Sequence, residues 1–168
     1  MAEADARTIA LGTPGAVLME RAGRAIVRAI TARFPPTPTL VLCGPGNNGG
    51  DGWVVARRLE ALGWPVRVTS LVDPARLRGD AAAAFARRSG PWSAALPEEL
   101  DAGWLVVDAL FGAGLDRPLE GTARAWVERL AGLGGPVVAV DVPSGVDGAS
   151  GAVLGAAAPA VLTVTFAR

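Results

Sequence analysis

The chain contains no lysine, no histidine and no tyrosine, and it has a single cysteine, Cys43. These gaps exclude whole classes of chemistry. Without lysine there is no P-loop lysine to grip phosphate and no Schiff base. Without histidine there is no imidazole general base and no imidazole metal ligand. Catalysis must rest on Asp, Glu, Asn, Ser, Thr, Arg and backbone groups. One cysteine cannot form an internal disulfide, and Cys43 sits within an apolar run, which reads as a buried, inert thiol. An excess of either charge is missing as well: sixteen basic residues, all arginine, balance sixteen acidic ones. No bulk field therefore recruits nucleic acid or an anionic membrane. The longest apolar stretch, Ala152 to Phe166, is interrupted by Pro159 and too short to span a bilayer. The acidic amino terminus lacks the apolar core of a signal peptide. A soluble cytoplasmic protein is expected.

What is present argues for order. At 168 residues and 51% hydrophobic composition, the chain is long enough and apolar enough for one domain with a real core. Thr13-Pro14 reads as an N-cap and first helical position. Leu18, Ala22, Ala25, Ile26, Ala29 and Ile30 then recur at helical spacing, while Arg21, Arg24 and Arg28 form a solvated stripe. Strand patterns follow at Thr39–Cys43, Val66–Val72, Trp104–Asp108, Pro136–Asp141 and Val161–Phe166. Helical patterns lie between them. One starts at Trp53, buries Val55, Leu59 and Leu62 and stops at Gly63. Another covers about Pro74 to Arg88, with Arg76, Arg78, Arg87 and Arg88 outward. A third runs from about Leu119 to Leu133, with Trp126, Val127 and Leu130 inward. Short, valine-rich, unbroken apolar strands alternating with helices predict an α/β fold, a Rossmann-like three-layer α/β/α sandwich with a mainly parallel sheet.

Function is expected where three loops leave the strand ends. The first, Gly44-Pro-Gly-Asn-Asn-Gly-Gly-Asp-Gly52, holds five glycines in nine residues and reads as a ligand cradle. Gly44, Gly46 and Gly49 also satisfy the dinucleotide fingerprint, with Asp73 placed 24 residues after Gly49 as a ribose-binding acid. Asn47, Asn48 and Asp51 argue against that reading, because a carboxylate at a helix start competes with phosphate for the same positive end. The second loop begins at Asp108 and the third at Asp141, each acid closing a buried strand. Parallel strands gather their carboxyl ends at one edge, so Asn47, Asn48, Asp51, Asp108, Asp141 and Ser144 should ring a common pocket. Several oxygen donors of low total charge suit a hard cation. Magnesium or calcium is possible, and a monovalent ion fits a site where neutral oxygens share the work. Arg117 can pair with a ligand phosphate or form a surface ion pair.

At these residues the chain resembles the NAD(P)H-hydrate epimerases, the YjeF amino-terminal domains. The resemblance rests on Asp5, Leu18-Met-Glu-Arg-Ala-Gly23, Gly46-Asn-Asn-Gly-Gly-Asp-Gly52 with Ala56-Arg57, Asp108-Ala-Leu-Phe-Gly-Ala-Gly114, Val140-Asp-Val-Pro-Ser-Gly145 and Thr163-Val-Thr-Phe166. It implies interconversion of the R and S forms of hydrated NADH and NADPH. A partner dehydratase, driven by ADP or ATP and possibly fused downstream, would then restore the cofactor. It implies that Asn47, Asn48, Gly49, Gly50 and Asp51 hold the hydrated dinucleotide together with Gly112, Ala113, Gly114, Leu115, Asp116, Arg117, Pro118 and Asp141. Asn48, Asp108 and Ser144 would coordinate a potassium ion. With no histidine, tyrosine or lysine present, Asp141 is the candidate acid/base. A homodimer is expected.

Two departures accompany the resemblance. Arg21 stands where the family commonly has asparagine, and the chain ends at Arg168, short of the segment expected after the last strand, as a domain trimmed at its carboxyl terminus would. The rival readings are an NAD-dependent dehydrogenase, suggested by the glycine fingerprint, and a non-catalytic nucleotide-binding or scaffold module of the same fold.

Overall fold

The computed structural model describes residues 14–166, so Asp5 and the Thr13 cap lie outside the described residues. Helix α1 spans Gly15–Thr31, strand β1 Thr39–Cys43, α2 Asn47–Ala61 and β2 Val66–Ser70. They are followed by a 3-10 turn at Pro74–Arg76, α3 at Gly79–Ala86, β3 at Leu105–Ala109, α4 at Gly121–Leu133, β4 at Val137–Val140 and β5 at Leu162–Val164. The strands form one sheet in the order β2-β1-β3-β4-β5, and every pairing is parallel. From β1 the chain steps outward to β2, then returns to lay β3 on the other side of β1. That reversal is a topological switch point, and it opens a crevice above the ends of β1 and β3.

Alternation along the strands divides the core into two layers. Val41 and Cys43 of β1, with Leu105, Val107 and Ala109 of β3, point toward α1, α2 and α3 and pack on Ile26, Ile30, Trp53 and Leu59. Leu40, Leu42 and Val106 point the other way and pack on Trp126, Val127 and Leu130 of α4. The sheet is therefore covered on both faces, and this explains why its strands read as unbroken apolar runs.

Sequence expectation and structure part at several places. Helix α2 starts at Asn47, inside the glycine segment, and not at Trp53. Its glycines serve close packing: a Cβ on Gly50 would lie 2.4 Å from Met19 Cε, and one on Gly52 would lie 2.8 Å from Ala109 Cβ. The same helix ends as expected. Gly63 has φ 79°, its N–H donates to Glu60 O at 2.9 Å, and Trp64 N–H donates to Leu59 O at 3.0 Å. This is a Schellman closure with its apolar Trp64–Leu59 contact. Leu62, expected inside, is 58% exposed because the C-cap turns it outward. In α1, Pro14 occupies the N-cap and not the first helical position, and the buried face is Met19, Ala22, Gly23, Ile26, Val27 and Ile30. Ala25 lies on the solvent side. The expected helix from 74 to 88 is broken in two: Leu77 leaves the 3-10 turn with ψ 154° and Arg78 enters α3 extended.

Arg88, expected outward, is buried. Its side chain is 1% exposed and pairs with Glu60, Nε to Oε2 at 3.0 Å and Nη2 to Oε1 at 2.6 Å. Nη1 donates to the carbonyls of Gly90 and Pro91, and the guanidinium lies 5.9 Å from the centre of the Trp53 ring. The pair is asymmetric, since the Glu60 side chain is 30% exposed. Removing Glu60 strands a buried cation, whereas removing Arg88 leaves a carboxylate that water can reach. Glu60→Ala is expected to cost about 3 kcal/mol, and Arg88→Met clearly less. Urea denaturation of the two variants checks this, and an equal or reversed order would contradict it.

Candidate active site

A cleft of about 840 Å³ opens over the switch point. One wall is the start of α2, carrying Asn47, Asn48 and Asp51. Another is the loop after β3, from Leu110 to Glu120. Asp141 forms part of the floor, and Gly15, Leu18, Met19, Asp80 and Phe166 also line the cleft. Asn47, Asn48, Asp51, Gly112, Ala113, Gly114, Leu115, Asp116, Arg117, Pro118 and Asp141 all line the cleft as expected. Gly49 and Gly50 do not: they are buried behind the helix start. Gly49 is held there by backbone, since a Cβ on it would lie 1.9 Å from Gly44 O. Asp108 and Ser144, expected at the rim, are 0% exposed and lie outside the lining. Asp73, the sought ribose acid, is absent from the lining; its carboxylate accepts the Ala75 N–H at 2.9 Å and caps the 3-10 turn. That removes the second half of the dinucleotide fingerprint from the cleft.

Asp141 is the backbone exception of the site. Among the described residues it is the only non-glycine with positive φ, at 71°. Its N–H donates to Val164 O at 2.8 Å, and Val142 N–H donates to Val140 O at 3.0 Å across it. An i to i+2 closure around a positive-φ residue is a γ-turn of the rare, strained kind. Strain of this sort costs about 1–3 kcal/mol and persists where the surroundings over-determine it. Here β5 and the loop after β3 do so: Asp141 Oδ2 accepts the Ala113 N–H at 2.8 Å. The result is a carboxylate, 5% exposed, presented at the floor of the cleft.

Beneath the floor, Asp108 and Ser144 clasp the second and third loops together. Ser144 Oγ–H donates to Asp108 Oδ1 at 2.6 Å, and Ser144 N–H donates to Asp108 Oδ2 at 2.8 Å. Ser144 Oγ accepts the Phe111 N–H at 3.0 Å and lies 3.2 Å from the Phe111 carbonyl oxygen. Burial pushes the Asp108 carboxyl above its ordinary range, and the bonds from Ser144 and Leu110 oppose that shift. Asn48 completes the neighbourhood. A Cβ on Gly112 would lie 3.2 Å from Asn48 Oδ1, and Asn48 Nδ2 is buried with no hydrogen-bond partner among the described residues. Among the described residues no group of three or more acids or cysteines gathers as a multidentate metal cage. Sequence reasoning did not name Phe111, Met19 or Phe166 as site residues, although all three lie inside segments that carry the resemblance, and it missed Asp80 in the cleft lining.

Comparison with known proteins matches the chain to a family. The model for the YjeF-related protein N-terminus matches residues 15–168. The chain belongs to that family. Among relatives of this YjeF N-terminal protein, the NAD(P)H-hydrate epimerase of Rhodobacter capsulatus is 46% identical over 167 residues, covering 92% of this chain and 78% of the relative. That of Limosilactobacillus fermentum is 40% identical over 159 residues, 93% of this chain and 76% of the relative. The bifunctional NAD(P)H-hydrate repair enzyme Nnr of Thermofilum pendens is 44% identical, over 92% of this chain but 32% of its own length. The chain thus spans about a third of the length of the bifunctional relatives it matches. The crystal structure of yeast ynu0 superposes with a TM-score of 0.71 at 30% identity, covering 81% of this chain and 64% of the yeast chain. The shared family agrees with the parallel α/β sheet seen here, and no described helix is long and apolar enough to cross a membrane.

Proposed function

We propose that the chain epimerises hydrated NADH and NADPH, interconverting their R and S forms. The observation that carries the reading is the strained Asp141 carboxylate at the floor of a cleft large enough for a nucleotide, in a chain whose epimerase relatives align over nine-tenths of its length. The reacting carbon bears a hydroxyl beside a ring nitrogen, so inverting it requires a bond to open and re-form. Either the hydroxyl leaves as water and water returns to the opposite face, or the ring opens to an aldehyde and recloses. Both routes need one group to give a proton and take one back. With lysine, histidine and tyrosine absent from the chain a carboxylate must serve, and Asp141 takes the role on the strength of its strained, tethered position in the cleft. Asn47, Asn48 and Asp51 at the start of α2 hold the nucleotide from one side, and the loop from Gly112 to Pro118 holds it from the other. Arg117 supplies positive charge for its phosphates.

A potassium ion fits the donor set beneath the floor. One carboxylate, Asp108, stands with the neutral oxygens of Ser144 and Phe111, and the Asn48 amide oxygen lies beside Gly112, a balance that suits a monovalent hard cation better than a divalent one. Bound there, it would supply fixed positive charge next to the nucleotide site. Asn48, Asp108 and Ser144 would hold it. The downstream partner is an S-specific dehydratase, whose substrate this reaction replenishes.

The test mixes the protein with an equilibrated R/S hydrate mixture and excess S-specific dehydratase. Complete consumption at a rate set by the amount of this chain supports the reading. Consumption that stalls at the S fraction, apart from slow spontaneous interconversion, defeats it.

A further inference from the structure

We propose that Gly112 is a positioning residue for the reaction: its missing side chain creates a berth in which the Asp141 carboxylate is tied to the nucleotide-holding loop and aimed into the cleft. This rests on the epimerase reading above and adds a division of labour between the two carboxylate oxygens. A Cβ on Gly112 would lie 2.7 Å from Asp141 Oδ2, inside any real contact distance. Gly112 has no positive φ to require glycine, so what it supplies is room. In that room Oδ2 accepts the Ala113 N–H at 2.8 Å, while Oδ1 takes no hydrogen bond among the described residues. Oδ2 is therefore the tether and Oδ1 the oxygen that exchanges the proton. The carboxylate has little freedom to retreat. It is a short side chain on a γ-turn pinned by the bonds from Asp141 N–H to Val164 O and from Val142 N–H to Val140 O. An added methyl on Gly112 must break the tether and turn Oδ1 away.

The same bond works in the other direction. The loop from Gly112 to Pro118 is held against the floor by the residue that performs the chemistry, so Asp141 fixes the loop as well as serving it. Two side-chain functions follow, and they separate by substitution. Asparagine at 141 can still accept the Ala113 N–H through its amide oxygen but cannot exchange a proton. Glycine at 141 suits the positive φ and removes both functions.

The experiment measures amide exchange at Ala113 and steady-state kinetics on the hydrate mixture for wild type, Gly112→Ala, Asp141→Asn and Asp141→Gly. Protection of the Ala113 amide is expected in wild type and Asp141→Asn, and its loss in Gly112→Ala and Asp141→Gly. For Gly112→Ala, kcat is expected to fall about 10- to 100-fold, as for a misaimed acid/base group, and KM to rise by a smaller factor because the freed loop also holds the nucleotide. Ala113 exchange that is unprotected in wild type, or unchanged by Asp141→Gly, overturns the tether whatever the activity. A Gly112→Ala protein with wild-type kcat overturns the positioning role. Absence of epimerisation by wild type with a protected Ala113 amide would sink the epimerase reading while leaving the tether standing.

Discussion

Asp141→Asn is expected to lower epimerisation by about 10²- to 10⁴-fold, the usual contribution of a positioned acid/base group. The substitution is close to isosteric and keeps a residue that tolerates positive φ, so the γ-turn at φ 71° survives. The amide oxygen replaces Oδ2 as acceptor of the Ala113 N–H. Stability and affinity for the nucleotide should change little, and the loss should fall on kcat. The measurement is the rate at which the R hydrate enters the dehydratase reaction, corrected for spontaneous interconversion. A variant retaining more than a tenth of wild-type activity would end the assignment of Asp141 as the proton-exchanging group. The comparison with Ser144→Ala sharpens it. Ser144 touches Asp108 and Phe111 beneath the floor, so its loss loosens the clasp between two loops and should affect stability and KM along with kcat.

Much of this site was legible before any coordinates, for physical reasons that also explain the failures. β1, β3 and β4 stand out as short apolar runs because parallel strands are buried on both faces. Asp108, next to last in β3, and Asp141, directly after β4, are visible because a carboxylate ending such a run is out of place in a core. What the letters do not carry is depth. Asp108 and Asp141 look equivalent in sequence, yet one is sealed under Ser144 and the other opens on the cleft, and that difference depends on how residues 142–145 fold back. The start of α2 was missed because five glycines in nine residues argue against helix by propensity. Packing overrides propensity there. Gly49, Gly52 and Ala56 recur at i, i+3 and i+7, a small-residue face that is a helical signal of its own. Arg88 was missed because nothing local distinguishes it from Arg87. Its burial rests on Glu60, 28 residues away, together with the Gly90 and Pro91 carbonyls and the Trp53 ring.

The second large effect is expected at Gly44, where alanine should destabilise the fold by about 3 kcal/mol or more. Gly44 follows β1 directly, and its N–H donates to Ala109 O at 3.0 Å, extending the β1–β3 ladder to the switch point. A Cβ there would lie 1.7 Å from the Leu110 carbonyl oxygen and 2.6 Å from its carbon. The obstacle is backbone, so no rotamer relieves it: either β1 and β3 separate at the point where the cleft begins, or the loop after β3 is displaced. Total stability of about 5–15 kcal/mol leaves little margin for that. Gly46, two residues on in the same fingerprint, has nothing within 4 Å of its Cβ position and an extended φ of −105°. Gly46→Ala should therefore leave stability within about 0.5 kcal/mol of wild type. If urea midpoints of the two variants coincide, the close approach of β1 to the Leu110 carbonyl is not what the glycine at position 44 provides. If they separate as expected, the three glycines of the fingerprint have distinct jobs: Gly44 and Gly49 let backbone meet backbone, and Gly46 leaves open space beside the cleft.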